Sequence, residues 1–187
     1  MSTGLPESLD PWRAARSGLL LTGEVALSAF ARLSDVIVSS AACARVVQYQ
    51  LQFARDSQGR FLLTGRIQTQ LPLQCQRCFG VVDVAIDVPV QLALVKTEAA
   101  AEALPTALEP LLVNDDVVEP LLVIEDELLL ALPIVARHQD GDCQPPIAAA
   151  IHHSPLAEKI PEPAQLAPNP FAILRTLKSK PTPDDTE

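Results

Sequence analysis

The sequence predicts an α+β domain built on a mainly antiparallel β-sheet, with barrel-like closure as one option. A long apolar helix packs on the sheet and a flexible C-terminal tail follows. Three observations carry this. From Ala44 to Ala54, and again from Val82 to Leu94, apolar and polar residues alternate with a period of two, the pattern of a strand with one buried face. From Pro120 to Ala131 the chain is apolar except for Glu125, Asp126 and Glu127, the pattern of a helix with one acidic stripe. Beyond Pro145 periodicity fades and proline becomes frequent. The expected division is residues 1–145 as the folded domain and 146–187 as a Pro-rich linker with a short helix. The chain has 187 residues, 48% hydrophobic but only 4% aromatic, so its core must be built mainly from Leu, Val, Ala and Ile.

Taken in order, Leu9 to Arg16 reads as a short helix with Asp10 as its cap, Pro11 in its first turn and Gly18 as its stop. Leu19 to Val25 is strand-like. Leu27 to Leu33 suits a helix, with Leu27, Phe30 and Leu33 on one face. Trp12 and Phe30 read as core anchors. In Ala44 to Ala54 the odd residues Val47, Tyr49, Leu51 and Phe53 form the apolar face. Asp56 to Gly59 is a turn, and Phe61 to Leu71 is the antiparallel partner. In the next strand Val82, Val84, Ile86, Val88 and Val90 share one face. Asp83 and Asp87 share the other, as solvated charges rather than a catalytic pair. Pro89 marks an edge or a bulge there. Lys96 to Glu109 is irregular or briefly helical, and Leu111 to Val113 suits a short strand. The helix from Pro120 ends at Pro133, with its three acidic residues pointing outward. Gln144 to Ala167, including His152 and His153, reads as linker. Asn169 caps and Pro170 starts a last short helix, on which Phe171, Leu174 and Leu177 form a stripe.

Cys75-Gln76-Arg77-Cys78 lies between two strand-like runs. A C-x-x-C spacing suits a metal site, a redox pair or plain thiols. The hairpin setting favours metal over redox chemistry, which usually occupies a strand-to-helix turn. His138 and Cys143, downstream of the apolar helix, complete a Cys3His set suited to structural Zn2+. Cys43 fits no such pattern and reads as a small buried residue.

Four cysteines without a secretory signal, and apolar runs too short to span a bilayer, point to a cytoplasmic protein with no membrane partner. A net charge of −9 works against simple nucleic-acid binding. Against it stand a basic β surface carrying Arg60, Arg66 and Arg77 and the terminal helix ending at Lys178. These, with Asn169, Pro170, Phe171 and Leu174, are the candidate RNA- or partner-binding residues. No Gly-rich phosphate loop, no Ser/His/Asp set and no open carboxylate metal cluster is visible, so neither an enzyme nor a small-molecule substrate is expected.

Leu73 to Cys78, Glu125 to Pro133, His138 with Cys143, and Asn169 to Leu174, in that order, resemble the signature of the YceD family, the large ribosomal RNA subunit accumulation proteins. The resemblance implies a bacterial, cytoplasmic, non-enzymatic factor in 23S rRNA synthesis or processing and large-subunit assembly. Its partners would be precursor 23S rRNA or the assembling large subunit. It also implies Cys75, Cys78, His138 and Cys143 as the family's cysteine/histidine positions. The alternative is an adaptor that recruits an rRNA-processing enzyme or ribosomal protein through its C-terminal helix.

Overall fold

The computed structural model describes residues 4–42, 44–139 and 141–143. Cys43, the expected linker with His152 and His153, and the expected helix over 169–178 lie outside the described residues. The order of elements is helix α1 (Pro11–Ser17), strand β1 (Leu20–Ala26), two 3-10 turns (Leu27–Ala29 and Leu33–Asp35), helix α2 (Ser39–Ala42) and strands β2 (Val46–Arg55), β3 (Phe61–Gln74) and β4 (Val81–Val95). Helix α3 (Glu98–Glu102), strand β5 (Glu109–Leu112) and helix α4 (Pro120–Leu130) complete it.

The class is α+β, as expected. Helix α1 forms where the sequence places it. Asp10 Oδ1 accepts the Trp12 and Arg13 N–H groups at 2.9 and 3.0 Å. Gly18, at φ 66°, closes the helix in the left-handed conformation that glycine adopts without a Cβ penalty.

The five strands form one sheet in the order β1-β2-β3-β4-β5. The sheet is open, not a barrel, because β1 and β5 are its opposite edges. It is also mixed rather than mainly antiparallel. The first three pairings are antiparallel, but β5 runs parallel to β4, with Leu92 opposite Glu109 and Val95 opposite Leu112. The cause lies in the connection: the chain leaves β4, makes the α3 turn and returns to the sheet as a crossover of about a dozen residues, which a parallel pair needs. Because β5 reaches only Leu92–Val95, Pro89 sits where β4 has no second strand beside it.

Alternation decides the faces. Val47, Leu51, Phe53, Leu63, Ile67 and Leu71 are fully buried on the inner face. Gln48, Gln50, Gln68 and Gln70 lie on the outer face, where Asp83 pairs with Arg45 and Asp87 with Arg66. Gly65 is required by close approach, since a Cβ there would stand 1.9 Å from the Gln50 carbonyl oxygen of the neighbouring strand.

Two expectations fail for one reason. Leu27 to Leu33 is not a helix but two 3-10 turns separated by an extended Phe30. Glu125 is not solvated but 2% exposed. Its Oε1 accepts the N–H groups of Arg32 and Leu33 at 2.7 and 3.1 Å, and its Oε2 accepts from Arg32 Nε at 3.0 Å. A long-range carboxylate thus takes N–H groups that a local helix would turn on its own carbonyls. Leu27, Phe30 and Leu33 still enter the core. Helix α4 is also eleven residues, not the long apolar helix expected. Val123, Ile124 and Leu128 are buried, while Leu122 and Leu130 are left exposed.

Candidate metal centre

β3 and β4 form a hairpin paired from Leu62 opposite Ala93 to Gln74 opposite Val81. Its tip is the six-residue turn Cys75-Gln76-Arg77-Cys78-Phe79-Gly80. Two backbone bonds close the turn: Cys75 N–H to the Gly80 carbonyl at 2.8 Å and Phe79 N–H to the Cys75 carbonyl at 2.9 Å. Phe79 takes up the reversal at φ 60°, in the left-handed region, and is 62% exposed.

The segment after α4 lies against this tip. Gln76 N–H bonds the Ala136 carbonyl at 2.8 Å, which brings His138 and Cys143 to the turn. The four side chains meet as the sequence predicts: one donor atom each from Cys75, Cys78, His138 and Cys143 lie within 4.8 Å of one another. Cys75 Sγ and Cys143 Sγ are 3.7 Å apart, and Cys78 Sγ is 3.4 Å from His138 Nδ1. A tetrahedral zinc ion with bonds of about 2.3 Å to sulfur and about 2.0–2.1 Å to nitrogen has edges of about 3.5–3.8 Å. The group therefore fits a metal ion in both donor type and spacing.

The surroundings prepare these donors. His138 Nε2 lies 2.8 Å from the Val81 carbonyl, which can only accept, so Nε2 donates its hydrogen there and Nδ1 is the ring nitrogen turned to the sulfurs. Burial opposes charge on the Cys75 thiol. Backbone N–H groups of Cys78, Arg77 and His138 directed at its sulfur outweigh that and bring its pKa down to about 5. Burial, followed by the neighbouring Cys75 sulfur, pushes Cys143 up to about 11. The bond to Cys75 and then that to Val81 hold the His138 pKa above its usual value. The metal-free cluster thus favours negative charge on Cys75 over Cys143, and a cation is what would let Cys143 ionise beside it.

The other expected site residues are not brought together. Arg60 pairs with Asp56 beside the β2–β3 turn, with Nε 2.6 Å from Oδ2. Arg66 holds Asp87 with two hydrogen bonds in the middle of β3. Arg77 is exposed in the metal turn. At about 3.3 Å per residue these three positions are strung along the strand over tens of ångströms. Asn169, Pro170, Phe171, Leu174 and Lys178 lie outside the described residues. The Val81 carbonyl and the N–H groups around Cys75 are backbone atoms, so no residue type announced them. Glu125 was hidden inside an acidic run.

Among the described residues no helix is long and apolar enough to cross a membrane. Residues 63–178, which contain all four residues of the Cys3His cluster, match the family described as large ribosomal RNA subunit accumulation protein YceD. The protein of that name from Haemophilus influenzae is 30% identical over 177 residues, which is 94% of this chain and 97% of that one. No solved structure matches the chain. With the family match spanning well over half of the chain, and a relative aligned over nearly all of it, this protein belongs to the YceD family.

Proposed function

We propose that this chain is a non-enzymatic factor in the accumulation of 23S rRNA, acting in the cytoplasm on precursor rRNA or the assembling large subunit, and that Zn2+ fills its Cys3His cluster as a structural ion. The observation that carries the reading is the coincidence of the family match with a four-donor cluster at its centre. Four protein donors complete a tetrahedral shell and leave no position for a substrate water, so the ion would act as a cross-link. It would tie the β3–β4 tip to the segment after α4.

The experiment is depletion of the protein in its native cells, with rRNA and subunit profiles recorded beside pull-down of the tagged chain. A fall in 23S relative to 16S rRNA, with large-subunit precursors retained on the tagged chain, supports the reading. Unchanged rRNA ratios and no retained precursor overturn it.

A second reading is an adaptor that recruits an rRNA-processing enzyme or a ribosomal protein. Uncovered apolar side chains of the metal turn and the adjoining segment favour it: Phe79, Val81, Ile134 and Val135 are all exposed. Pull-down in high salt separates the two, because contact through apolar side chains survives salt and phosphate contact does not.

A further inference from the structure

At the far end of the β3–β4 hairpin from the metal turn, about 45 Å away along β3 at 3.3 Å per residue, the surface changes character. A pocket of about 520 Å3 opens there, walled by Trp12, Phe61, Arg16 and Lys96. Trp12 and Phe61 meet edge to face, with centroids 5.2 Å apart. The Arg55 and Arg16 guanidinium groups lie 4.9 and 5.9 Å from the Phe61 centroid, and Lys96 Nζ lies 5.0 Å from that of Trp12. Arg13 is exposed one helical turn from Arg16 on α1.

The carboxylates of this pocket are already engaged. Asp10 caps α1, and Asp116 accepts from Trp12 Nε1 at 2.6 Å and from Lys96. Neither Arg13 nor Arg16 has a carboxylate partner among the described residues. In a chain of net charge −9, this is a local cationic surface with aromatic rings set into it.

We propose that this pocket binds one nucleotide of single-stranded RNA, its base stacked against Phe61 and the flanking guanidinium planes and its phosphates held by Arg13 and Arg16. Rings interleaved with cations are what sequence-tolerant single-strand binding requires, because every base has a π-face and every nucleotide a phosphate. The volume suits a small planar group. The proposal rests on the reading that the chain acts on rRNA. It moves the contact away from Arg60 and Arg66, whose charges are neutralised by Asp56 and Asp87.

The test uses the full chain and a short fluorescein-labelled oligoadenylate, read by anisotropy across a salt series. The chain has one tryptophan, so Trp12 emission reports on this pocket. Saturable binding should quench that emission. R13E/R16E should weaken binding about tenfold or more and reduce the salt slope by about 1.4, at about 0.7 per phosphate contact. Phe61→Leu should weaken binding with the slope unchanged. Thermal melts of each variant check folding, and R66E serves as a charge reversal outside the pocket. Binding unaffected by R13E/R16E, loss in R66E alone, or no binding by the wild type would overturn the proposal. If precursor subunits are still retained in cells in any of these cases, the proposed function stands and only this site falls. If they are not, that function falls as well.

Discussion

At Cys75 two opposing forces meet on one sulfur. The residue is fully buried, which disfavours a thiolate, yet three backbone N–H groups converge on it and bring its pKa down to about 5. Cys75→Ser keeps the size but loses the soft donor, so bound metal should fall from one ion per chain to near zero in metal analysis. Because Cys and His must lose protons to bind, metal should also dissociate as the pH is lowered, which release to a colorimetric chelator would record. Gly65 makes a purely steric prediction. Gly65→Ala sets a methyl against the Gln50 carbonyl oxygen and should cost about 1–3 kcal/mol in urea denaturation. That Cys75, Cys78, His138 and Cys143 could meet was legible from their order and spacing in the chain, although the C-x-x-C spacing alone also suited a redox pair or plain thiols. Gly65 was not, because its constraint comes from a neighbouring strand.

Among the elements, the β3–β4 hairpin is the arm that carries the Cys75–Gly80 turn, and α4 is the brace that leads back to it. Alternation made β2 and β4 legible, since a period of two survives in any sheet with one buried face, and the Asp56–Gly59 turn placed β3 as the partner of β2. The same alternation says nothing about strand direction at an edge, so neither the parallel β5 nor the open sheet was visible. Leu27 to Leu33 was misread as helix because the N–H partners of Arg32 and Leu33 sit on Glu125, more than ninety residues away. Glu125→Ala should leave the Arg32 and Leu33 N–H groups without their partner and cost about 1–3 kcal/mol, measured by the same denaturation. Glu125→Gln, which keeps an acceptor, should cost less. Metal removal should act locally at first. Amide exchange should rise at Cys75–Gly80 and across 134–138, which the Gln76–Ala136 bond joins, before it rises at the Leu62–Ala93 end of the hairpin.

On the scale of the whole molecule, the acidic chain pairs Arg32, Arg45, Arg60, Arg66 and Lys96 with carboxylates. The bonds from Arg66 hold Asp87 below its usual pKa, and those from Lys96 and Trp12 do the same for Asp116. A depressed carboxylate pKa adds stability above the unfolded value near 4 and loses it as pH falls through the lower folded value. Thermal midpoints of the metal-free protein should therefore drop in that acidic range. The central claim is that a metal cross-link at the hairpin tip joins the two halves of this domain's sequence. The most direct measurement is metal content and X-ray absorption of the full chain purified without added metal. The account predicts one zinc per chain, with three sulfurs at about 2.3 Å and one nitrogen at about 2.0–2.1 Å. Metal-free wild-type protein whose folding is unchanged by chelator or by added zinc would contradict it.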